Sequence, residues 1–112
     1  MIILFHREQD RKSCIGEKSM KRAHGENRAK VLKKRLDDLD AARSLADMRA
    51  LPGRCHELAG DRRGQLALDL DQPYRLILEP ADDPTPLKRD GGLDWNGVRV
   101  VRILEIGVDY HG

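Results

Sequence analysis

The sequence predicts an α+β fold in which an N-terminal strand and two or three helices precede a mostly antiparallel sheet. Apolar residues recur at helical spacing in the first half of the chain and alternate with polar ones in the second half. The chain has 112 residues, of which 39% are hydrophobic. We expect one domain over residues 1–112 with a single modest core. No apolar run approaches the roughly eighteen residues of a membrane-spanning helix, so we expect no membrane partner.

The helical half begins after a predicted strand at residues 1–5. Residues 10–40 are predicted to be helical, with a break near Gly25 in "HGEN". The second helix carries one apolar stripe with polar residues opposite it. The stripe consists of Ala29, Leu32, Leu36 and Leu39, and the opposite side carries Lys30, Lys33, Lys34 and Asp37. A short helix is predicted over residues 44–49, with Ser44 as its N-cap and Asp47 as the acid of a capping box.

The second half of the chain reads as strands joined by turns. Strands are predicted at residues 54–58, 65–70 and 74–79, with Arg75 on the polar face of the third. Three prolines and three glycines in residues 80–97 predict a long irregular loop, in which Trp95 folds back over the sheet. The last strand, residues 98–106, is apolar on both faces and is therefore expected to be central.

Charge is divided unevenly between the two halves. Residues 1–50 hold 13 Lys and Arg against 8 Asp and Glu, whereas residues 51–112 hold 8 against 11. Ten basic and two acidic residues lie in residues 11–35. This basic segment either faces a polyanion, with nucleic acid the first choice, or is a solvated helix face. Charge alone leaves the two interpretations about equal.

Several side chains suit proton transfer around a phosphate. His and Asp exchange protons near neutral pH, and Arg binds phosphate through two nitrogens. These residues are His56, Arg62, Arg63, Arg75, Asp109, Tyr110 and His111. Sheet pairing could bring His56, Arg75 and the end of the chain to one end of the sheet. Taken singly, each has a plainer explanation: an edge-strand histidine, a solvated arginine, a frayed terminus.

Other chemistries find no support in the sequence. The phosphate-binding loop GxxxxGK, the dinucleotide motif GxGxxG and the nucleophile motif GxSxG are absent. Cys14 and Cys55 are far apart and form no CxxC pair, so we expect no metal, no cofactor and a reduced, cytoplasmic setting.

The order of these motifs resembles the HigB-type toxins of the RelE/ParE superfamily over nearly the whole chain. Three features carry the resemblance: the phrase "HELAGDRRG" at residues 56–64, the pair Tyr74–Arg75, and the ending Asp109–Tyr110–His111. The resemblance implies a toxin that enters the ribosomal A site and cuts messenger RNA there. It also implies a HigA-like antitoxin that neutralises the toxin and through which the pair reaches its operator DNA.

Carried over by position, the resemblance assigns catalysis to His56, Arg75, Asp109, Tyr110 and His111. RNA or phosphate contact falls to Arg62, Arg63, Lys30, Lys33 and Lys34. The chain departs from the family at Ala59, where a lysine is common, and we expect Arg62 or Arg63 to take over part of its task. Two alternatives remain: a ParE-like topoisomerase poison, against which the Asp-Tyr-His ending argues, and a non-toxic regulatory relative, which Ala59 keeps open.

Overall fold

The computed structural model describes residues 1–109, so the predicted site residues Tyr110 and His111 lie outside the described residues. Strand β1 (Ile2–Phe5) is followed by helices α1 (Glu8–Ser13), α2 (Glu17–His24) and α3 (Glu26–Ala41). Strands β2 (His56–Glu57), β3 (Leu66–Asp69), β4 (Tyr74–Pro80) and β5 (Val100–Asp109) complete the sheet. The predicted α+β order is confirmed.

The sheet has five strands in the order β1-β5-β4-β3-β2. Strand β1 pairs parallel to β5, and the other three pairings are antiparallel, as expected for a mostly antiparallel sheet. The last strand is internal, but the middle position belongs to β4, because β1 adds to the outer side of β5. Strand β5 also extends to Asp109, three residues beyond the predicted end.

The helices pack on one face of this sheet. The predicted stripe of α3 lies in the main core, where Ala29, Leu32 and Leu39 are buried and Leu36 is partly buried. Alternate leucines of β3 and β4 meet them from the sheet, as the period-two pattern predicts. The opposite face carries a smaller buried cluster of Leu58, Ala67 and Ile77. That face is therefore partly apolar, and it also carries ion pairs such as Arg102–Glu79.

The helical half contains one break more than expected. The chain breaks at Gly25, as predicted, and again before α2 at the extended residue Gly16. The predicted helix at residues 44–49 is a 3-10 helix, Leu45–Ala50, and Ser44 makes no side-chain capping bond. Asp47 instead accepts a hydrogen bond of 2.9 Å from the backbone N–H of Arg43, so no capping box forms.

Residues 81–99 connect β4 to β5 and fold back onto the molecule through Trp95, as predicted. Its ring is buried in the main core, and its Nε1 donates to Glu57 Oε2 at 2.9 Å. The Arg49 guanidinium stacks over the ring at 4.2 Å from its centroid. Within residues 1–109, no helix is both long enough and apolar enough to span a membrane.

A bulge at Gly107 sets the position of the end of β5. Arg75 pairs with Val108 while Leu76 pairs with Ile106, so Gly107 is the extra residue. Its φ is +85°, a conformation that residues with a side chain rarely adopt. The Arg28 guanidinium lies against it, and a Cβ at Gly107 would come 2.5 Å from Arg28 Nη1. The end of β5 therefore packs closely against Arg28 of α3.

Replacing Gly107 by alanine should lower the free energy of unfolding by about 1–3 kcal/mol, through backbone strain and displacement of Arg28. Gly91→Ala is the matched control, because Gly91 has nearly the same φ, +88°, with open space around its Cα. Urea unfolding of both variants separates the two costs. Equal decreases in the two variants would show that the Arg28 contact contributes nothing.

Candidate active site

The sheet brings His56 and Arg75 to one face. His56 pairs with Ala67, and Ala67 pairs with Ile77. Arg75 lies two residues before Ile77 on β4. Paired residues of antiparallel strands, and residues two apart on one strand, point to the same side of a sheet. Both side chains therefore share the face of the smaller buried cluster.

Asp109 lies on β5 beside the start of β4, one register step from Arg75, but its side chain belongs to the other face of the sheet. It pairs with Tyr74, whose ring packs with the main core on the helical side. The Tyr74 ring also carries the Arg28 guanidinium at 4.1 Å from its centroid, and Arg28 Nε donates to Asp71 Oδ1 at 2.9 Å. Asp109 thus ends β5 beside the strand that carries Arg75, separated from it by one step in register.

Arg75 is far less exposed than its predicted place on a polar face implies. Only 13% of its side chain is accessible, and its Nε lies 2.9 Å from Asp69 Oδ1. Its Nη1 donates to the carbonyls of Pro73 and Tyr74 at 2.8 and 3.1 Å. Arg75 lies on the face opposite Leu76 and Leu78, as predicted, but the expectation that it is solvated is wrong, because Ile77 is buried beside it.

Asp69 is the residue that sequence reasoning missed. Its side chain is 15% exposed and also contacts Arg54, with Nε of Arg54 at 3.1 Å and Nη2 at 3.3 Å. Arg35 Nε of α3 donates to its backbone carbonyl at 2.7 Å. Hydrogen bonding and charge from Asp69 raise the pKa of Arg54. We call Asp69 with Arg35, Arg54 and Arg75 the arginine cluster.

A hydrogen bond joins His56 to this cluster. Its Nδ1 lies 2.8 Å from the backbone carbonyl oxygen of Arg54. A carbonyl can only accept, so Nδ1 carries the hydrogen and, in the neutral ring, Nε2 keeps a lone pair. That arrangement leaves Nε2 able to take a proton from a substrate.

The remaining predicted phosphate ligands are dispersed. Arg62 is one of the two arginines expected to take over the task of the lysine that Ala59 replaces. Its Nη1 donates to Glu105 Oε2 at 2.6 Å across the sheet, so its guanidinium is already paired with a carboxylate. Arg63 is exposed at the opposite end of β3 from Asp69. Lys30, Lys33 and Lys34 are exposed on α3, where Lys33 pairs with Asp37 at 2.8 Å. Their role stays a prediction.

A groove of about 650 Å³ lies at the end of β3 near Arg63, away from the arginine cluster. Three carboxylates line it, those of Glu57, Glu79 and Asp90, so its charge suits a polyanion poorly. The arginine cluster, with three guanidinium groups around one aspartate, is the better place for a phosphate.

The two thiols do not supply a nucleophile. Burial raises the pKa of the Cys55 thiol to about 12, and it also raises the pKa of Cys14. Both therefore stay protonated at neutral pH, while the reactive form is the thiolate. Among residues 1–109, no three His, Cys, Asp or Glu side chains are grouped as metal ligands. The chemistry available at this site is proton transfer beside fixed positive charge.

Replacing Arg75 by alanine should lower the free energy of unfolding by about 1–3 kcal/mol, since a mostly buried carboxylate loses a partner. Arg63→Ala removes an exposed guanidinium and should change it by less than about 0.5 kcal/mol. Denaturant titration followed by circular dichroism measures both. An Arg75→Ala protein as stable as wild type would mean that Asp69 is satisfied by Arg54 alone.

Comparison with known proteins gives a fold and no sequence family. No family model matches the chain, and no curated protein matches it. Its structure is similar to a chain of the YoeB-YefM complex from Staphylococcus aureus, with a TM-score of 0.59 and 13% sequence identity over 98% of both chains. The likeness shows the fold, and it confirms the fold class predicted from the sequence.

Proposed function

We propose that the protein is a ribosome-dependent mRNA endonuclease, the toxin of a type II toxin–antitoxin module. The hydrogen bond between His56 and the Arg54 carbonyl, on the sheet face that carries the Asp69 and Arg75 side chains, is the observation that carries the proposal. It sets a proton acceptor near two guanidinium groups that share one carboxylate. The fold likeness to a chain of the YoeB-YefM complex supports a toxin of the RelE type. The motif order resembling HigB-type toxins supports the finer assignment.

The proposed reaction uses the RNA itself as the nucleophile. The ribose 2′-OH attacks the adjacent phosphorus, the bond from phosphorus to the 5′ oxygen breaks, and a 2′,3′-cyclic phosphate forms. His56 Nε2 takes the 2′-OH proton and His111 supplies a proton to the leaving 5′ oxygen. The acid and base roles can be exchanged. The resemblance also offers Asp109 as the base, but its pairing with Tyr74 puts it on the sheet face opposite His56 and Arg75, so we propose His56. Tyr110 stacks on or positions a nucleotide.

Positive charge around the phosphate completes the proposed site. The arginine cluster stabilises the additional negative charge of the transition state, the task that the resemblance gives to Arg75. Lys30, Lys33 and Lys34 on α3 contact ribosomal RNA. The nucleophile comes from the substrate and the protons move through side chains, so the chemistry requires no metal or cofactor.

The proposed partners follow from the same argument. The similar chain belongs to a two-protein complex, YoeB-YefM, and we propose a HigA-like antitoxin as the partner of this one. Operator DNA is reached only through that complex. The site of action is the translating ribosome, which places the protein in the cytoplasm.

Induction without an antitoxin should arrest bacterial growth and shorten translated transcripts within minutes. The 5′ fragments should end in a 2′,3′-cyclic phosphate or a 3′-phosphate, because the 2′-OH is the attacking group. Primer extension and end-group analysis of the fragments measure both. A free 3′-OH would mean that water attacked instead. Arrest with intact transcripts and altered DNA supercoiling would favour the topoisomerase poison, and normal growth would favour the non-toxic relative.

A stop codon after Asp109 removes Tyr110, His111 and Gly112 but leaves β5 whole. The truncated protein should melt at the wild-type temperature and lose toxicity, with cleavage slowed about a hundred- to ten-thousand-fold. His111→Gln removes only the titratable ring and should have the same direction of effect. A stop after His111, which removes Gly112 alone, is the matched control. Wild-type growth arrest from the truncated protein would take the tail out of the mechanism.

A further inference from the structure

The backbone at Arg54 is unusual for a residue with a long side chain. Its φ is +53°, and in residues 1–109 every other residue with positive φ is glycine. Such conformations persist only where the surroundings fix them, and they concentrate at functional sites. Here the fixing contacts are those to Asp69 through the side chain and to His56 through the carbonyl. This backbone conformation therefore directs the Arg54 side chain toward Asp69 and the Arg54 carbonyl toward His56.

Arg54 and Arg75 share the Asp69 carboxylate but differ in what they can still bind. Arg75 is 13% exposed, and its Nε and Nη1 are bonded to Asp69 and to two backbone carbonyls. Arg54 is 64% exposed and contacts Asp69 through Nε and Nη2. A guanidinium has five N–H donors, so Arg54 retains the Nη1 edge toward solvent. Arg75 is therefore mostly buried and bonded within the protein, whereas Arg54 is exposed and has donors left to bind a ligand.

Net charge around Asp69 favours an anion at that edge. Two guanidinium groups, those of Arg54 and Arg75, share the single Asp69 carboxylate, whereas Arg35 reaches the Asp69 backbone carbonyl from the helical side. The Asp69 carboxylate therefore leaves one of these two positive charges unmatched. Phosphate matches the planar guanidinium through two parallel hydrogen bonds. The outer edge of the Arg54 guanidinium, which faces away from Asp69, offers this geometry.

We propose that Arg54 is the residue that binds an RNA phosphate at this site, and that Asp69 and Arg75 are positioning residues that hold it there. The proposal rests on the proposed function for its substrate class. It moves the direct phosphate contact from Arg75 to a residue that neither the motifs nor the fold likeness assigns. The backbone carbonyl of Arg54 also fixes the His56 tautomer in which Nε2 can take a proton.

The test is the salt dependence of RNA binding by the purified full-length chain. The probe is a short single-stranded RNA with 2′-O-methyl groups, which cannot be cleaved by 2′-OH attack. Removing one phosphate contact to a single strand reduces the magnitude of the slope of log K against log salt by about 0.7. Arg54→Gln should reduce the slope by that amount with little change in melting temperature, because Asp69 keeps Arg75. Arg89→Gln, an exposed arginine of the 81–99 loop, is the matched control and should leave the slope unchanged.

The outcomes separate this proposal from the proposed function. No RNA binding by the unchanged protein, or a wild-type slope in Arg54→Gln, overturns the phosphate contact even if ribosomal cleavage is intact. Wild-type protein that binds the probe and never cuts messenger RNA refutes the nuclease and leaves the binding residue standing. Arg54→Lys, which keeps the charge but not the paired donors, should restore the slope.

Asp69→Asn tests positioning separately from charge. It removes one negative charge at nearly constant size, so electrostatics alone predicts equal or tighter RNA binding. If Asp69 positions Arg54, cleavage on the ribosome should nevertheless fall about tenfold to a hundredfold, since small misplacements carry costs of that order. Tighter binding together with a wild-type cleavage rate would overturn the positioning role. Should Asp69→Asn fail to fold, the Arg54→Gln slope still decides the contact.

Discussion

A mostly buried carboxylate, that of Asp69, is the constraint on which the site end of this molecule depends. A charge in that position is costly unless it is paired, and here two guanidinium groups supply the pairing from different directions. Arg54 comes from the turn before β2, and Arg75 comes from the start of β4. Because β3 ends at Asp69, one side chain fixes where three strands meet.

Helix α3 is fastened to the same end of the sheet by its own arginines. Arg35 donates to the Asp69 backbone, and Arg28, two turns earlier, bonds Asp71 and stacks on Tyr74. Part of the basic excess in the first half of the chain therefore serves the fold. Exposed basic residues of α2 and α3, among them Lys18, Lys21, Lys30 and Lys34, remain to face a polyanion, so both interpretations of the basic segment stand.

The fold was predictable because its determinants are local, whereas the site was only partly so. The α3 stripe and the alternation in β3 and β4 require only near neighbours, and the structure confirms them. The contacts of Asp69 join residues separated by six to thirty-four positions, and no periodicity marks them. The alternating pattern also suggested that Arg75 is solvated, since it carries no information on the second cluster beneath that face. The glycine directly before Arg54, in "LPGR", was the only local sign of an unusual backbone there.

The docking of Trp95 has a spectroscopic consequence. The chain contains one tryptophan, and it lies in the long β4–β5 connection rather than in a strand or in one of the main helices. Its ring is buried against the core, with a carboxylate on its N–H and a guanidinium on its face. Intrinsic fluorescence therefore reports whether this connection is seated, while far-ultraviolet circular dichroism reports the helices. A partner that displaces the connection from the core would shift the tryptophan emission to longer wavelength and leave the circular dichroism unchanged. The two signals together therefore distinguish displacement of this connection from unfolding of the protein.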